Sequence, residues 1–212
     1  MKTTLLAIGI SFLFLQHVNA QIFATGQINV LYQKGNAYYG ESAFLPGAIF
    51  SAGYYEFMSN YDVYVNAGIG LPKLTHYTSY FFGNSSFADP ENIDEIVNWY
   101  NLGIGGTYWY ESEAYNNFMI GVTGGGELIF QTVEQKCVHN GDDFIFNYSG
   151  QTFNAFGGLK LLYLPTDVVG VQFDMMYKIP FIGTSEYWSY TGVNPSMESG
   201  FYFRLGLLYY FE

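Results

Sequence analysis

The sequence predicts an all-β fold, an antiparallel up-and-down transmembrane β-barrel of about eight strands formed by residues 21–212, behind a leader at 1–20. Three observations carry this. Apolar and polar or small residues alternate with period two in eight segments along the chain. The composition is 50% apolar and 21% aromatic with only 12% charged residues, where soluble domains carry about 25% charge. The connections between segments alternate between short and long.

The leader comes first. Met1-Lys2-Thr3 gives a positive start, residues 4–15 are almost wholly apolar, and Val18-Asn19-Ala20 ends in a small residue before Gln21. This is the pattern of a secretory signal peptide cut after Ala20. The run is too short to cross a bilayer as a helix. Gln21 stands where a lipoprotein would carry Cys. Cleavage takes Lys2 and His17, so the acidic excess of 18 Asp+Glu over 7 Lys+Arg grows by one charge. Cys137 is the only thiol, which excludes the disulfide framework usual in small secreted soluble domains.

The segments then follow in order. Residues 22–33 set Ile28, Val30 and Tyr32 against Gln27, Asn29 and Gln33. Residues 44–57 are apolar on both faces, and their parity stays open. Residues 61–71 give the clearest alternation, Val63, Val65, Ala67 and Ile69 against Asp62, Tyr64, Asn66 and Gly68. Residues 97–110 set Tyr100, Leu102, Ile104, Tyr108 and Tyr110 against Asn101, Gly103, Gly105 and Thr107. Residues 118–133 set Ile120, Val122, Leu128 and Phe130 against Thr123, Gly125, Glu127 and Gln131. Residues 152–164 set Leu159, Leu161 and Tyr163 against Asn154, Gly158 and Lys160. Residues 168–179 set Val171, Phe173, Met175 and Tyr177 against Gln172, Asp174 and Lys178. Residues 201–211 set Phe201, Phe203, Leu205, Leu207 and Tyr209 against Tyr202, Arg204, Gly206 and Leu208. These segments reach the roughly 9–11 residues a strand needs to cross a bilayer.

Short turns are expected at 58–60, 111–117 and 165–167, and long loops at 34–43, 72–96, 134–151 and 180–200. That asymmetry is the one expected of an outer-membrane barrel, with both termini on the periplasmic side. The polar face holds too few charges to be the wet outside of a soluble barrel, and its glycines suit the narrow inside. The apolar face is therefore expected to meet lipid, with Tyr32, Tyr110, Tyr163, Tyr177 and Tyr209 in interfacial girdles. Residues 74–82 could extend a strand beyond the membrane, and 90–99 read as a short helical turn after Asp89-Pro90-Glu91.

Signal peptide, Gly-aromatic alternation and the last segment Gly200-Phe-Tyr-Phe-Arg-Leu-Gly-Leu-Leu-Tyr-Tyr-Phe-Glu together resemble the small eight-stranded outer-membrane β-barrel proteins of Gram-negative bacteria, with a texture similar to the Bacteroidetes type. The resemblance covers the whole mature chain and is one of class. It implies outer-membrane lipids and lipopolysaccharide as surroundings. It also implies the barrel-assembly machinery as a partner in biogenesis, reading an amphipathic last strand that ends in an aromatic residue; Glu212 after Phe211 departs from that pattern. The expected role is structural or adhesive, through surface loops whose partner the sequence does not name. The alternatives are a narrow channel for small hydrophobic or ionic solutes, a lipid A-modifying enzyme, and a soluble lipocalin-like binder.

The parity places Asp62, Glu127, Lys160, Asp174, Lys178 and Arg204 inside, as a lumen polar network. Unpaired charge there is costly, so Arg204 and Lys160 are expected to pair with Asp62, Glu127 or Asp174. A structural plug is the reading over a pore lining, because eight strands leave little room for water. No catalytic residue and no cofactor is expected. His76 with Ser79, or His139 with Asp142 or Ser149, could be cast in lipid-modifying roles, but their spacing matches no signature. No Cys/His set has zinc spacing. The glycine runs at 103–106 and 121–126 lack the Lys-Ser/Thr and following helix of a phosphate loop. The acidic run at 89–96 reads as a solvated loop rather than a divalent-cation site. The cation deficit excludes a nucleic-acid partner.

Overall fold

The computed structural model describes residues 21–33, 43–58, 60–79, 91–111, 117–139, 142–185 and 199–211. The proposed leader and the connections at 34–42, 80–90 and 186–198 lie outside them. All regular structure among the described residues is strand: β1 (Gln21–Gln33), β2 (Ala43–Met58), β3 (Tyr61–Gly70), β4 (Lys73–Ser79), β5 (Glu91–Glu111), β6 (Phe118–His139), β7 (Asp142–Tyr163), β8 (Val169–Ser185) and β9 (Gly200–Phe211).

Every pairing is antiparallel, and the order β3-β2-β1-β9-β8-β7-β6-β5-β4 is closed by a β3–β5 pairing. The first and last strands zip from Ile22↔Phe211 to Tyr32↔Phe201. β3 and β4 both lie along β5 and form one stave in two pieces. Their registers, Ile69↔Tyr100 and Lys73↔Val97, differ by one residue across Leu71-Pro72. Pro72 has no N–H for a ladder, while the Leu71 N–H still donates to Pro46 O at 2.9 Å. The barrel thus has eight staves.

Alternation decides which side chain goes where. Ile28 is 70% exposed, Leu205 55% and Val65 58%, whereas their strand neighbours Gln27, Arg204 and Asn66 are buried. The ambiguous β2 resolves with Phe44, Phe50 and Tyr54 outward and Leu45 and Ile49 inward. Most staves show about six outward apolar or small positions over eleven residues, as from Phe201 to Phe211 or from Tyr100 to Tyr110. At about 3.3 Å per residue and a tilt near 40° this belt is about 25 Å tall, the height of an outer-membrane apolar band. Tyr110, Tyr163, Tyr177 and Tyr209 are exposed near belt edges. Cross-strand rings pack there too, with centroids 4.9 Å apart in Tyr61–Tyr108 and Tyr32–Phe44 and 4.8 Å in Tyr177–Phe201.

Three expectations are corrected. The helical turn at 90–99 is absent: residues 91–99 open β5, laddered to β4 and β6. The loops at 72–96 and 134–151 are largely strand, so His76 and His139 lie on β4 and β6. The sequence reading fails there because the outward positions turn polar past the belt while inward Val97 and Val133 stay buried, which reverses the alternation. On β6 the outward positions change from Phe130 to exposed Thr132, Glu134 and Lys136, and on β7 Asn147, Ser149 and Gln151 are exposed. From Phe130 to His139 the sheet rises about 20 Å past the belt.

Candidate functional site

The strand period delivers all six charged residues of the proposed network to the inside. Exposures are 4% for Asp62, 1% for Glu127, 5% for Lys160, 1% for Asp174, 0% for Lys178 and 2% for Arg204. Four of the staves carry a single row, Lys160↔Asp174, Asp174↔Arg204 and Arg204↔Asn29, so the carboxylate stands between two cations in the ladder. Three acids and three bases cancel within the lumen, which low-dielectric burial requires.

Neutral groups meet several of these charged heads, while Arg204 Nη2 is buried with no hydrogen-bond partner among the described residues. Asp174 accepts from Gln27 Nε2 at 3.0 Å and from Gln172 Nε2 at 2.8 Å. Glu127 accepts from the Tyr202 hydroxyl at 2.7 Å and from Asn101 Nδ2 at 3.1 Å. Asp62 accepts from Trp109 Nε1. Lys160 Nζ sits 3.9 Å from the Tyr64 ring centroid. Arg204 Nε donates to Asn29 Oδ1 at 3.3 Å, and its guanidinium lies 4.7 Å from the Tyr202 ring centroid. Arg204 and Lys160, the cations expected to pair with Asp62, Glu127 or Asp174, thus meet an amide and aromatic faces.

Aromatic and aliphatic side chains close the lumen on both sides of these charges. Toward the short turns Phe23, Trp109, Met119, Leu162, Leu208 and Tyr210 are buried. Tyr55 packs on Tyr210 at 4.8 Å and donates to Met119 Sδ at 3.5 Å. Toward the other end Leu31, Leu45, Trp99, Ile129, Met176 and Tyr202 are buried. The sequence reading missed Trp99, Trp109, Phe23 and Leu31, which sit on the face assigned to amides and glycines. The signal was present in the glycines. A Cβ on Gly105 would come within 2.6 Å of the Tyr64 ring, and one on Gly121 within 2.7 Å of Trp109. Such glycines are seats for rings from the neighbouring strand, not empty lumen.

The ladder sets His76 opposite Asp94 and His139 opposite Asp142. Ser79 lies opposite Glu91, and Ser149 opposite Thr132. Among the described residues no group of three His, Cys, Asp or Glu side chains is arranged to hold a metal ion, and no helix is long and apolar enough to cross a membrane.

The closed meander, its apolar outside and its filled, charge-balanced inside define the fold of an outer-membrane β-barrel. The chain is similar to several solved structures. A major outer membrane protein from Thermus thermophilus matches with a TM-score of 0.54 and 11% identity, over 91% of this chain and 100% of that one. Neisserial surface protein A gives a TM-score of 0.49 at 12% identity, over 90% and 97% of the two chains. Ail, the attachment invasion locus protein of Yersinia pestis, gives 0.48 at 12%, over 91% and 97%. No family model matches the sequence, and no curated protein does.

Proposed function

We propose that this chain is an exported outer-membrane barrel, freed of its leader after Ala20, with a structural or adhesive role and no catalytic one. The observation that carries the reading is the filled lumen: Trp99, Trp109, Tyr202, Arg204 and Lys178 all point inward and are at most 2% exposed. A conduit would need that space. The six charged residues act as a neutral plug that fixes the barrel, not as a gate. The apolar belt meets outer-membrane lipid and the acyl chains of lipopolysaccharide, and the last strand, Gly200–Phe211, is the segment offered to the assembly machinery. The parts free to meet a partner are the extensions of β5, β6 and β7, strands of 21, 22 and 22 residues against 12 in β9.

Refolded protein in a planar bilayer is expected to leave the membrane silent at moderate voltage. A steady, resolved single-channel conductance would replace the plug with a pore. For the adhesive part, cells displaying the barrel are expected to bind an epithelial monolayer better than cells displaying a variant whose β6–β7 hairpin is cut back to Gln131 and Gly150, a register pair. Equal binding by the two leaves a structural role alone.

A further inference from the structure

We propose that Gln27 is a register clasp: its amide reaches across the last strand to Asp174 and so selects which residues of β9 seal against β1. The need for such a device lies in the sequence of β9. A one-residue slip along the β1–β9 seam would turn every side chain of a strand to the wrong face. A two-residue slip would not. The outward positions Phe201, Phe203, Leu205, Leu207, Tyr209 and Phe211 are all apolar or aromatic, so lipid reads either register alike. The choice is left to the lumen.

In the observed register Gln27, Gly206 and Gln172 lie in one row, and Asn29, Arg204 and Asp174 in the next. Gln27 Nε2 donates diagonally over β9 to Asp174 Oδ2 at 3.0 Å, while Gln172 Nε2 donates to Oδ1 at 2.8 Å. The crossing needs Gly206, where a Cβ would come within 2.7 Å of Gln27 Cγ. Arg204 Nε donates to Asn29 Oδ1 at 3.3 Å in the adjoining row. All five side chains are at most 4% exposed, so a bond lost here is not replaced by bulk water. Slipping β1 by two residues against a fixed β8–β9 pair breaks both contacts. In one direction Gln27 meets Arg204 instead of a glycine, and Asn29 meets Tyr202. In the other, Gln27 meets Leu208 and moves about 7 Å along the strand away from Asp174. Only the observed register gives the Gln27 amide a glycine to cross and a carboxylate on the far side.

The test is disulfide trapping in the full chain carrying Cys137→Ser. Ile28→Cys with Leu205→Cys reads the observed register, since the two residues are ladder partners. Ile28→Cys with Phe203→Cys, or with Leu207→Cys, reads a two-residue slip. Such diagonal pairs stand about 7–8 Å apart in the observed register, beyond disulfide reach. Outer membranes are oxidised with copper–phenanthroline, and linked peptides are quantified by mass spectrometry. With Gln27 in place, only the first pair is expected to link. Gln27→Met keeps the length but removes the amide, and should raise the slipped links roughly tenfold or more, the factor that a hydrogen bond to a charged group carries. Asn101→Ala takes a comparable bond from the Glu127 carboxylate, away from the seam, and should not raise them. Gln27→Glu with Asp174→Asn reverses donor and acceptor across β9 and should return the links to the observed pair. The clasp is overturned if Gln27→Met links only at the observed pair, if Asn101→Ala raises slipped links as much, or if the reversed pair stays slipped. If Gln27→Met does not assemble, assembly restored by the reversed pair upholds the clasp, and failure of both overturns it.

Discussion

Leu205 and Tyr209 are exposed to similar extents, 55% and 48%, on the same outward face of β9. If water lay outside the barrel, arginine at either site would be a surface change within about ±0.5 kcal/mol. If lipid lies outside, depth decides. Leu205 is four residues in from Phe201 and six from Phe211, so it sits about 10 Å below one edge of the belt and about 15 Å from the other. Tyr209 lies two residues, about 5 Å, from the Phe211 edge. An arginine near the bilayer midplane of such a barrel costs about 2–4 kcal/mol, and near the interface about 0–1 kcal/mol. Leu205→Arg should therefore lose about 1–4 kcal/mol more than Tyr209→Arg, a factor of roughly 5 to 900 in the unfolding equilibrium. The assay is reversible guanidinium unfolding of protein inserted in phosphatidylcholine vesicles, followed by the fluorescence of Trp99 and Trp109, which are each 1% exposed in the folded barrel. Equal losses at the two positions, or two losses within half a kcal/mol, would refute the lipid-facing geometry and the proposed location with it.

Further outcomes follow from the same contacts. Gly158→Ala should destabilise by about 1–3 kcal/mol, because its Cβ would lie 2.6 Å from Met176 Cα and clash with Met175 O. Its neighbour Gly157, where the nearest atom would be Thr123 O at 3.7 Å, should accept alanine with little change in denaturation midpoint. Tyr202→Phe removes a buried hydroxyl donor from the Glu127 carboxylate and should cost about 1.5–3 kcal/mol. A double-mutant cycle with Glu127→Gln should return a coupling of at least half a kcal/mol, and additive losses would show that the two residues do not act together. Trp109→Phe keeps a ring over Gly121 but takes the indole N–H from Asp62. Its loss should shrink when Asp62→Asn is already present, as read by thermal aggregation in detergent.

How far the sequence could be read depends on what each residue faces. In the belt the environment changes at every residue from lipid to packed lumen, so Val63, Asp62 and Val65 announce their sides by chemistry alone. β2 did not, because Leu45 and Ile49 pack inside while Phe44 and Phe50 meet lipid, and both sets are apolar. Beyond the belt that contrast is gone. Glu134 and Lys136 face outward there beside buried Val133, and the β5 and β7 ladders show them to be strand. The lumen charges were legible as positions, but their partners were not, since Gln27 reaches Asp174 and Tyr202 reaches Glu127 across strands far apart in sequence.

Because β1 ladders to β9 over eleven positions, no partial length of the chain possesses a wall without open edges. Until Phe211 has been made, Ile22 to Tyr32 have nothing to seal against, and exposed backbone amides in hydrocarbon are too costly to persist. A wall without open edges therefore needs β9 as well as β1. A truncation of the final dozen residues should abolish insertion altogether rather than yield a seven-staved remnant.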